Sequence, residues 1–145
     1  ALAGVQDAGN LGSLLRTAAA AGIRRVWLDR CCTQPWSPKA MRAGMGAQFC
    51  LDIEEDADLH ARLAARTAEV LVTTLGEGSQ SLYALDLLTP TVWVFGSEGQ
   101  GVPAELQALA GRKVRIPMPG AVESLNVGAA VAVCLFEQVR QRGGA

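Results

Sequence analysis

The sequence predicts a single α/β domain built on a parallel sheet with helices on both faces. Two observations carry this: several short apolar runs show no polar alternation, and most of them are followed by a helical pattern. Runs of that kind belong to strands buried on both faces, and parallel strands need crossover connections, which are usually helical. The length of 145 residues allows one substantial core. No repeat, linker or internal boundary divides it.

Leu2 to Val5 is apolar and reads as the first strand. It opens without a methionine, as though caught partway through, so residues upstream are expected. From Asn10 the pattern changes to Leu11, Leu14, Leu15, Ala18 and Ala19, a helical stripe that ends at Gly22. Asn10 stands where an N-cap belongs. Ile23 to Leu28 reads as a buried strand. Ser37-Pro38 opens a short helix through Met45, with serine capping and proline in the first turn. Gln48 to Ile53 is compatible with a strand. A helix from Asp56 to Thr67 precedes a β-branched strand at Val70 to Thr74. After a loop at Gly76 to Ser79 come a strand at Thr91 to Phe95, a short helix at Pro103 to Ala110 and a strand at Lys113 to Ile116. Ser124 to Arg142 is the longest predicted helix.

Hydrophobic residues make up 50% of the chain and charged residues 19%, with a net charge of -1. That balance excludes a disordered or acidic tail-like protein. The longest apolar run, Val127 to Phe136, is about half of the ~18 residues that span a bilayer. Ala1 to Val5 has neither the basic start nor the long apolar stretch of a signal peptide. No membrane role is predicted, and a cytoplasmic address is expected. Cys31, Cys32, Cys50 and Cys134 show no C-x-x-C spacing and His60 is the only histidine, so no metal site is predicted. The thiols read as reduced and mostly structural. The near-neutral charge gives no whole-domain attraction to nucleic acid. Any such affinity must come from local patches, such as Arg24, Arg25, Arg30, Lys39 and Arg42, or Arg112, Lys113 and Arg115. Taken singly, most of these read as solvated surface charge.

In open α/β sheets, ligands bind at the carboxyl ends of strands, so the loops after strands are where chemistry is expected. Three of them stand out: Gln6 to Asn10, Gly96 to Val102 and Pro117 to Asn126. The glycines of Gly96-Ser97-Glu98-Gly99-Gln100-Gly101 suit a close approach to a ligand, and equally a turn that needs positive φ. Their order is not a dinucleotide fingerprint, and no phosphate-loop motif occurs anywhere. Ser124 and Asn126 can expose hydrogen-bonding groups at a helix N-terminus, where serine is also a common cap. Arg16 lies on the second turn of the helix begun by Asn10. It reads either as a solvated residue or as a bidentate phosphate clamp.

Taken together and in order, three segments resemble the signature motifs of the SpoU/TrmH methyltransferases of the SPOUT superfamily. They are Asn10-Leu11-Gly12-x-x-x-Arg16-Thr17-Ala18, Phe95-Gly96-Ser97-Glu98-Gly99-Gln100-Gly101 and Ile116-Pro117-Met118-x-x-x-x-x-Ser124-Leu125-Asn126-Val127. The resemblance covers nearly the whole chain. It implies a parallel α/β sheet whose C-terminal segment forms a trefoil knot, a rare device that no residue pattern reveals. It also implies an S-adenosylmethionine-dependent RNA ribose 2'-O-methyltransferase domain that works as a homodimer.

By the same resemblance, backbone groups at Gly96, Ile116 and Leu125 hold S-adenosylmethionine, with Leu75, Gly76 and Met118 as wall residues. Arg16 would activate the ribose hydroxyl or bind the neighbouring phosphate. A guanidinium with a pKa above ~12 is a poor free base, which favours phosphate positioning. Asn10 would fix the nucleotide or Arg16, Glu98 would orient loop groups, and Ser124 and Asn126 would complete the substrate side. Ribosomal RNA is the expected substrate, because the first motif reads closer to larger members with N-terminal extensions; transfer RNA is the alternative. Many relatives carry an additional N-terminal RNA-binding domain, and such an extension is expected to be missing from this chain.

Three rival readings are weaker. A non-catalytic RNA-binding scaffold would be marked by loss of Arg16, Asn10 or Asn126, and all are present. A dinucleotide oxidoreductase needs a different glycine spacing after the first strand. A serine hydrolase needs G-x-S-x-G with a histidine partner, and His60 is remote from any such motif.

Overall fold

A computed structural model describes residues 1–122 and 124–143 of the chain. Its elements are β1 (Leu2–Ala3), α1 (Ala8–Ala20), β2 (Arg25–Trp27), α2 (Pro38–Gly44), β3 (Asp52–Glu54), α3 (Leu59–Ala64), β4 (Glu69–Thr73), β5 (Gln80–Ser81), β6 (Thr91–Gly96), α4 (Ala104–Gln107), β7 (Arg112–Arg115) and α5 (Val127–Gln141). Five strands form a parallel sheet in the order β1-β6-β4-β7-β5, and β2 pairs in parallel with β3. A single parallel bridge from Leu2 to Leu28 sets the second sheet against the edge of the first.

The apolar strands are buried on both faces, with the period of two hidden inside them. Trp93 and Phe95 of β6 and Leu71 of β4 join α1 and α5 in one core cluster. Val94, Val70 and Val72 face the other way and pack with Leu59 and Leu63 of α3 and Leu106 of α4. Helix α1 forms because Leu11, Leu14, Leu15 and Ala18 make a stripe that the sheet buries. Its cap is Asp7, whose carboxylate accepts from the Asn10 backbone N–H at 2.8 Å, so Asn10 is not the N-cap but a first-turn residue. Gly22 ends it at φ 76°. Helix α2 begins as its Ser37-Pro38 signal predicts and lies outside α1. The contact is close because Gly12 has no side chain: a Cβ there would stand 2.3 Å from the Ala40 carbonyl oxygen.

Helix α5 carries Val127, Val131, Cys134 and Leu135 into the core. Its buried Gln138 accepts from the Trp93 indole N–H at 2.9 Å and donates to the Thr91 hydroxyl at 2.6 Å, tying α5 to β6. Glu69 and Arg112 pair at the amino ends of β4 and β7. Several elements differ from expectation. Residues 47–50 form a 3-10 turn and the strand begins only at Asp52, because the Gln48 side chain turns inward rather than joining a ladder. Helix α3 is six residues long, since Asp58 is the cap and Asp56 adopts φ 52° ahead of it. Helices α4 and α5 are likewise shorter, and β5 is a strand that its polar sequence does not announce. Among the described residues no helix is long and apolar enough to cross a membrane, and no group of His, Cys, Asp and Glu is placed to hold a metal.

Burial pushes the Cys32 and Cys134 thiols up to about 12, while Cys31 and Cys50 are exposed. Alkylation of the native protein at mildly alkaline pH is expected to modify Cys31 and Cys50 and spare the other two until denaturant is added, read by mass spectrometry of peptides. Gly12→Ala is expected to destabilise the fold by ~1–3 kcal/mol through overpacking of α1 on α2. Gly120→Ala, whose Cβ meets open space, is expected to leave the denaturation midpoint unchanged.

Candidate functional site

The carboxyl ends of β4, β6 and β7 open onto a cavity of about 390 Å³. Its walls come from the segment after β4 (Thr73 to Gly76), the loop after β6 (Gly96 to Val102), and residues after β7 that include Ile116, Met118, Ser124 and Leu125. Of the residues singled out from the sequence, Leu75, Gly76, Gly96, Glu98, Ile116, Met118, Ser124 and Leu125 line it.

Glycine at position 96 is obligatory. The loop after β6 folds straight back, with the Gly101 N–H donating to the Ser97 carbonyl at 2.9 Å. A Cβ on Gly96 would sit 2.0 Å from the Gly101 carbonyl carbon, and Gly101 itself has φ 67°. This hairpin-like turn aims Glu98 sideways across the cavity rim.

There Glu98 joins the other two loops. Its Oε1 accepts from Asn10 Nδ2 at 3.1 Å, from Asn126 Nδ2 at 2.5 Å and from the Val127 backbone N–H at 3.4 Å. The carboxylate also faces the N-terminal end of α5, where the helix dipole favours negative charge. Asn126 turns its own carbonyl oxygen to the Gly128 N–H at 2.9 Å and is the N-cap of α5. Ser124 is therefore not the cap. It lies two residues earlier, exposed at the cavity wall.

Arg16 stands apart from this cluster. It is exposed on α1 two turns beyond its start, and among the described residues it makes neither an ion pair nor a hydrogen bond. The site thus assembles Asn10, Glu98 and Asn126 at the rim and leaves Arg16 outside the cavity lining.

Sequence reasoning missed Thr74 and Gln107, which also line the cavity. Thr74 follows β4 directly and accepts from the Gly76 N–H at 3.1 Å, so its place after a strand was a usable signal. Gln107 sits on α4, where no motif marks it; its amide donates to the Val102 carbonyl at 2.8 Å and braces the turn from behind. Arg115 also lines the cavity but is held by the Ser79 carbonyl. A second cavity of about 410 Å³ lies at the amino ends of the strands, between Thr91–Trp93 and Arg25–Trp27. It is mostly apolar and holds none of the candidate catalytic or cofactor-binding residues, so its size does not make it the functional site.

A cavity at the carboxyl ends of parallel strands, apolar in its walls and with polar groups converging on one rim, defines an α/β domain that binds a small organic ligand. The family model for the SpoU rRNA methylase family matches residues 1–136, and the chain belongs to that family. It is 40% identical over 149 residues to the 23S rRNA (guanosine-2'-O-)-methyltransferase RlmB of Pseudomonas aeruginosa, covering 98% of this chain and 58% of that protein. Among solved structures it is similar to the AdoMet-bound rRNA methyltransferase of Sinorhizobium meliloti, with a TM-score of 0.89, 37% identity and coverage of 96% of this chain and 54% of that one. It is also similar to a structure solved for the 2-OH methylation of C/U34 on tRNA, with a TM-score of 0.87, 34% identity and coverage of 99% and 95%. The chain spans 52% of the length of a tRNA/rRNA methyltransferase of Synechocystis and 59% of that of the RlmB of Bordetella pertussis, so it covers little more than half of these relatives.

Asn126→Ala removes the cap of α5 and is expected to cost ~0.5–2 kcal/mol, whereas Ser124→Ala stays within a few tenths. Chemical denaturation of the two variants measures the difference.

Proposed function

We propose that this chain is the catalytic domain of an S-adenosylmethionine-dependent RNA ribose 2'-O-methyltransferase acting on ribosomal RNA. The observation that carries this reading is the convergence of Asn10 and Asn126 on Glu98 at the rim of the apolar cavity. Similarity to RlmB, named as a 23S rRNA (guanosine-2'-O-)-methyltransferase, supports the substrate class. A transfer RNA substrate is a second reading, favoured by the 95% coverage of the structure solved for tRNA methylation. An RNA substrate of either kind belongs in the cytoplasm.

The residues present fit S-adenosylmethionine. Leu75, Ile116, Met118 and Leu125 offer apolar walls, and Thr74, Ser97, Gln100 and Ser124 are among the neutral polar residues of the lining. Glu98 and Arg115 are the charged lining residues among those described, and each is already engaged within the protein. No basic cradle for a cofactor phosphate is built here, which suits a cofactor without phosphates. The volume lies in the range of small-molecule sites. When bound, S-adenosylmethionine supplies an electrophilic methyl group on a sulfonium sulfur.

The remaining work falls to this chain's own groups. Backbone groups at Gly96, Ile116 and Leu125 hold the cofactor, and Leu75, Gly76 and Met118 form the wall. Glu98 fixes the amides of Asn10 and Asn126, which hold the incoming nucleotide together with Ser124. Arg16 binds the phosphate next to the target ribose, so that the hydroxyl is positioned and its proton has an acceptor at a phosphate oxygen.

Two structural features belong to the same proposal. The first is a trefoil knot in the C-terminal segment, which the family resemblance implies and with which the position of β7 between β4 and β5 is consistent. The protein acts as a homodimer, for which the exposed Phe136 on α5 offers an apolar contact and which brings the isolated Arg16 to a composite site.

Calorimetric titration with S-adenosylmethionine is expected to give one site per chain, lost in Leu125→Arg. Absence of binding by the folded protein would remove the proposal. Arg16→Ala is expected to retain cofactor binding and to lose about a hundredfold or more in methyl transfer to RNA.

A further inference from the structure

We propose that Trp36 and Phe49, flanked by Lys39 and Arg42, form a stacking platform for an unpaired RNA base close to the nucleotide that enters the Glu98 site. The inference rests on the RNA-methyltransferase reading and adds to it a surface that lies outside the cofactor cavity.

The platform is built rather than accidental. Trp36 is 46% exposed and Phe49 76%, with ring centroids 5.8 Å apart and planes inclined by 52°. The segments beneath them are clamped. Gln48, only 1% exposed, donates to the carbonyls of Pro35 and Ala40 at 3.1 Å each, so the residues next to both rings are fixed by one buried amide. A Cβ on Gly44 would meet that amide at 2.4 Å. The Trp36 indole N–H donates to Glu55 at 3.0 Å, which fixes the ring's orientation. Met45, 73% exposed and held at φ 51°, adds a polarizable side chain on the turn between α2 and Phe49. Aromatic rings held outward on a rigid base suit bases, each of which has a flat face to stack.

Charge and position identify the partner as RNA. Residues 30–50 contain Arg30, Lys39 and Arg42 and no acid, in a chain whose net charge is -1. Arg30 and Arg42 are exposed, and among the described residues neither makes an ion pair. Two acids touch the platform residues: Glu55, whose carboxylate is engaged by the indole, and Asp7, which pairs with Lys39. Lys39, one turn after Trp36, pairs with Asp7 at 2.6 Å and lies beside Gly9. Asp7 caps α1, whose first turn carries Asn10. The platform therefore adjoins the loop that supplies Asn10 to the Glu98 cluster. Cations beside stacking rings are the arrangement that holds a single strand by backbone and base together.

The test uses fluorescence anisotropy of a labelled short oligoadenylate, with a paired duplex of equal length for comparison. Wild-type protein is expected to prefer the single strand, and binding is expected to quench the Trp36 emission. Trp27 and Trp93 are buried, so Trp36 is the exposed reporter. The double variant Trp36→Ala/Phe49→Ala is expected to bind about tenfold or more weakly. Arg42→Glu, which leaves the aromatic base intact, is expected to weaken binding and to lower the salt dependence by about one counterion.

Failure of the wild type to bind the oligonucleotide would overturn the proposal, as would unchanged affinity in both variants. So would a shift in sedimentation of the variants with RNA affinity retained, which would make the patch a contact between copies of this chain. Titration with S-adenosylmethionine in the same samples keeps the outcomes separate: absence of oligonucleotide binding by the wild type with cofactor binding intact counts against the platform alone. Absent cofactor binding with platform binding retained counts against the enzymatic reading alone.

Discussion

One carboxylate oxygen holds the site together. Glu98 Oε1 receives donors from the first turn of α1 and from the start of α5, segments more than a hundred residues apart in the chain. Glu98 is exposed, and it is held in place because its carboxylate accepts several hydrogen bonds and faces a helix N-terminus. The geometry upstream exists to deliver it. Gly96 and Gly101 let the backbone reverse at the end of β6, and β6 pairs with β1 on one side and β4 on the other. The amides of Asn10 and Asn126 are thereby fixed to the end of an interior strand of the sheet.

Much of this arrangement was legible in the sequence. The stripe Leu11, Leu14, Leu15 and Ala18 announced α1, and unalternating runs announced β4 and β6. Of the three strand-end loops that stand out in the sequence, Gly96 to Val102 and part of Pro117 to Asn126 line the cavity, whereas Gln6 to Asn10 reaches its rim only through the contact of Asn10 with Glu98. Cap positions were harder. Asp7 and Asn10 both precede the stripe, as Ser124 and Asn126 both precede α5. Either member of each pair satisfies the local preference, and the backbone of the folded chain makes Asp7 and Asn126 the caps, while Glu98 takes the Nδ2 group of both asparagines. The 3-10 turn at residues 47–50 and the two-residue β5 depend on tertiary partners that no local pattern encodes. For the same reason the sequence placed Arg16 with the other motif residues, whereas within one chain it stands alone.

Buried amides recur as clamps between layers. Gln138 links α5 to β6 through Trp93 and Thr91, and Gln48 links the turn before β3 to α2. Each fixes the relative position of two segments in a way that apolar contact, being non-directional, does not. The first steadies the helix whose start receives Glu98. The second steadies the outer helix that leans on Gly12 and borders the first-motif loop.

The strand order also governs how the protein comes into being. Leu2 pairs with Phe95, and Val72 with Lys113. A ribosome releases β1 and α1 long before β6 emerges, and at typical synthesis rates the wait is on the order of five to twenty seconds. During that interval the apolar face of α1 has no sheet to cover. Parallel pairing of such distant partners is intrinsically slow to nucleate. The arrangement that locks three loops onto one carboxylate therefore makes the nascent chain a client for chaperones until its last third has been made.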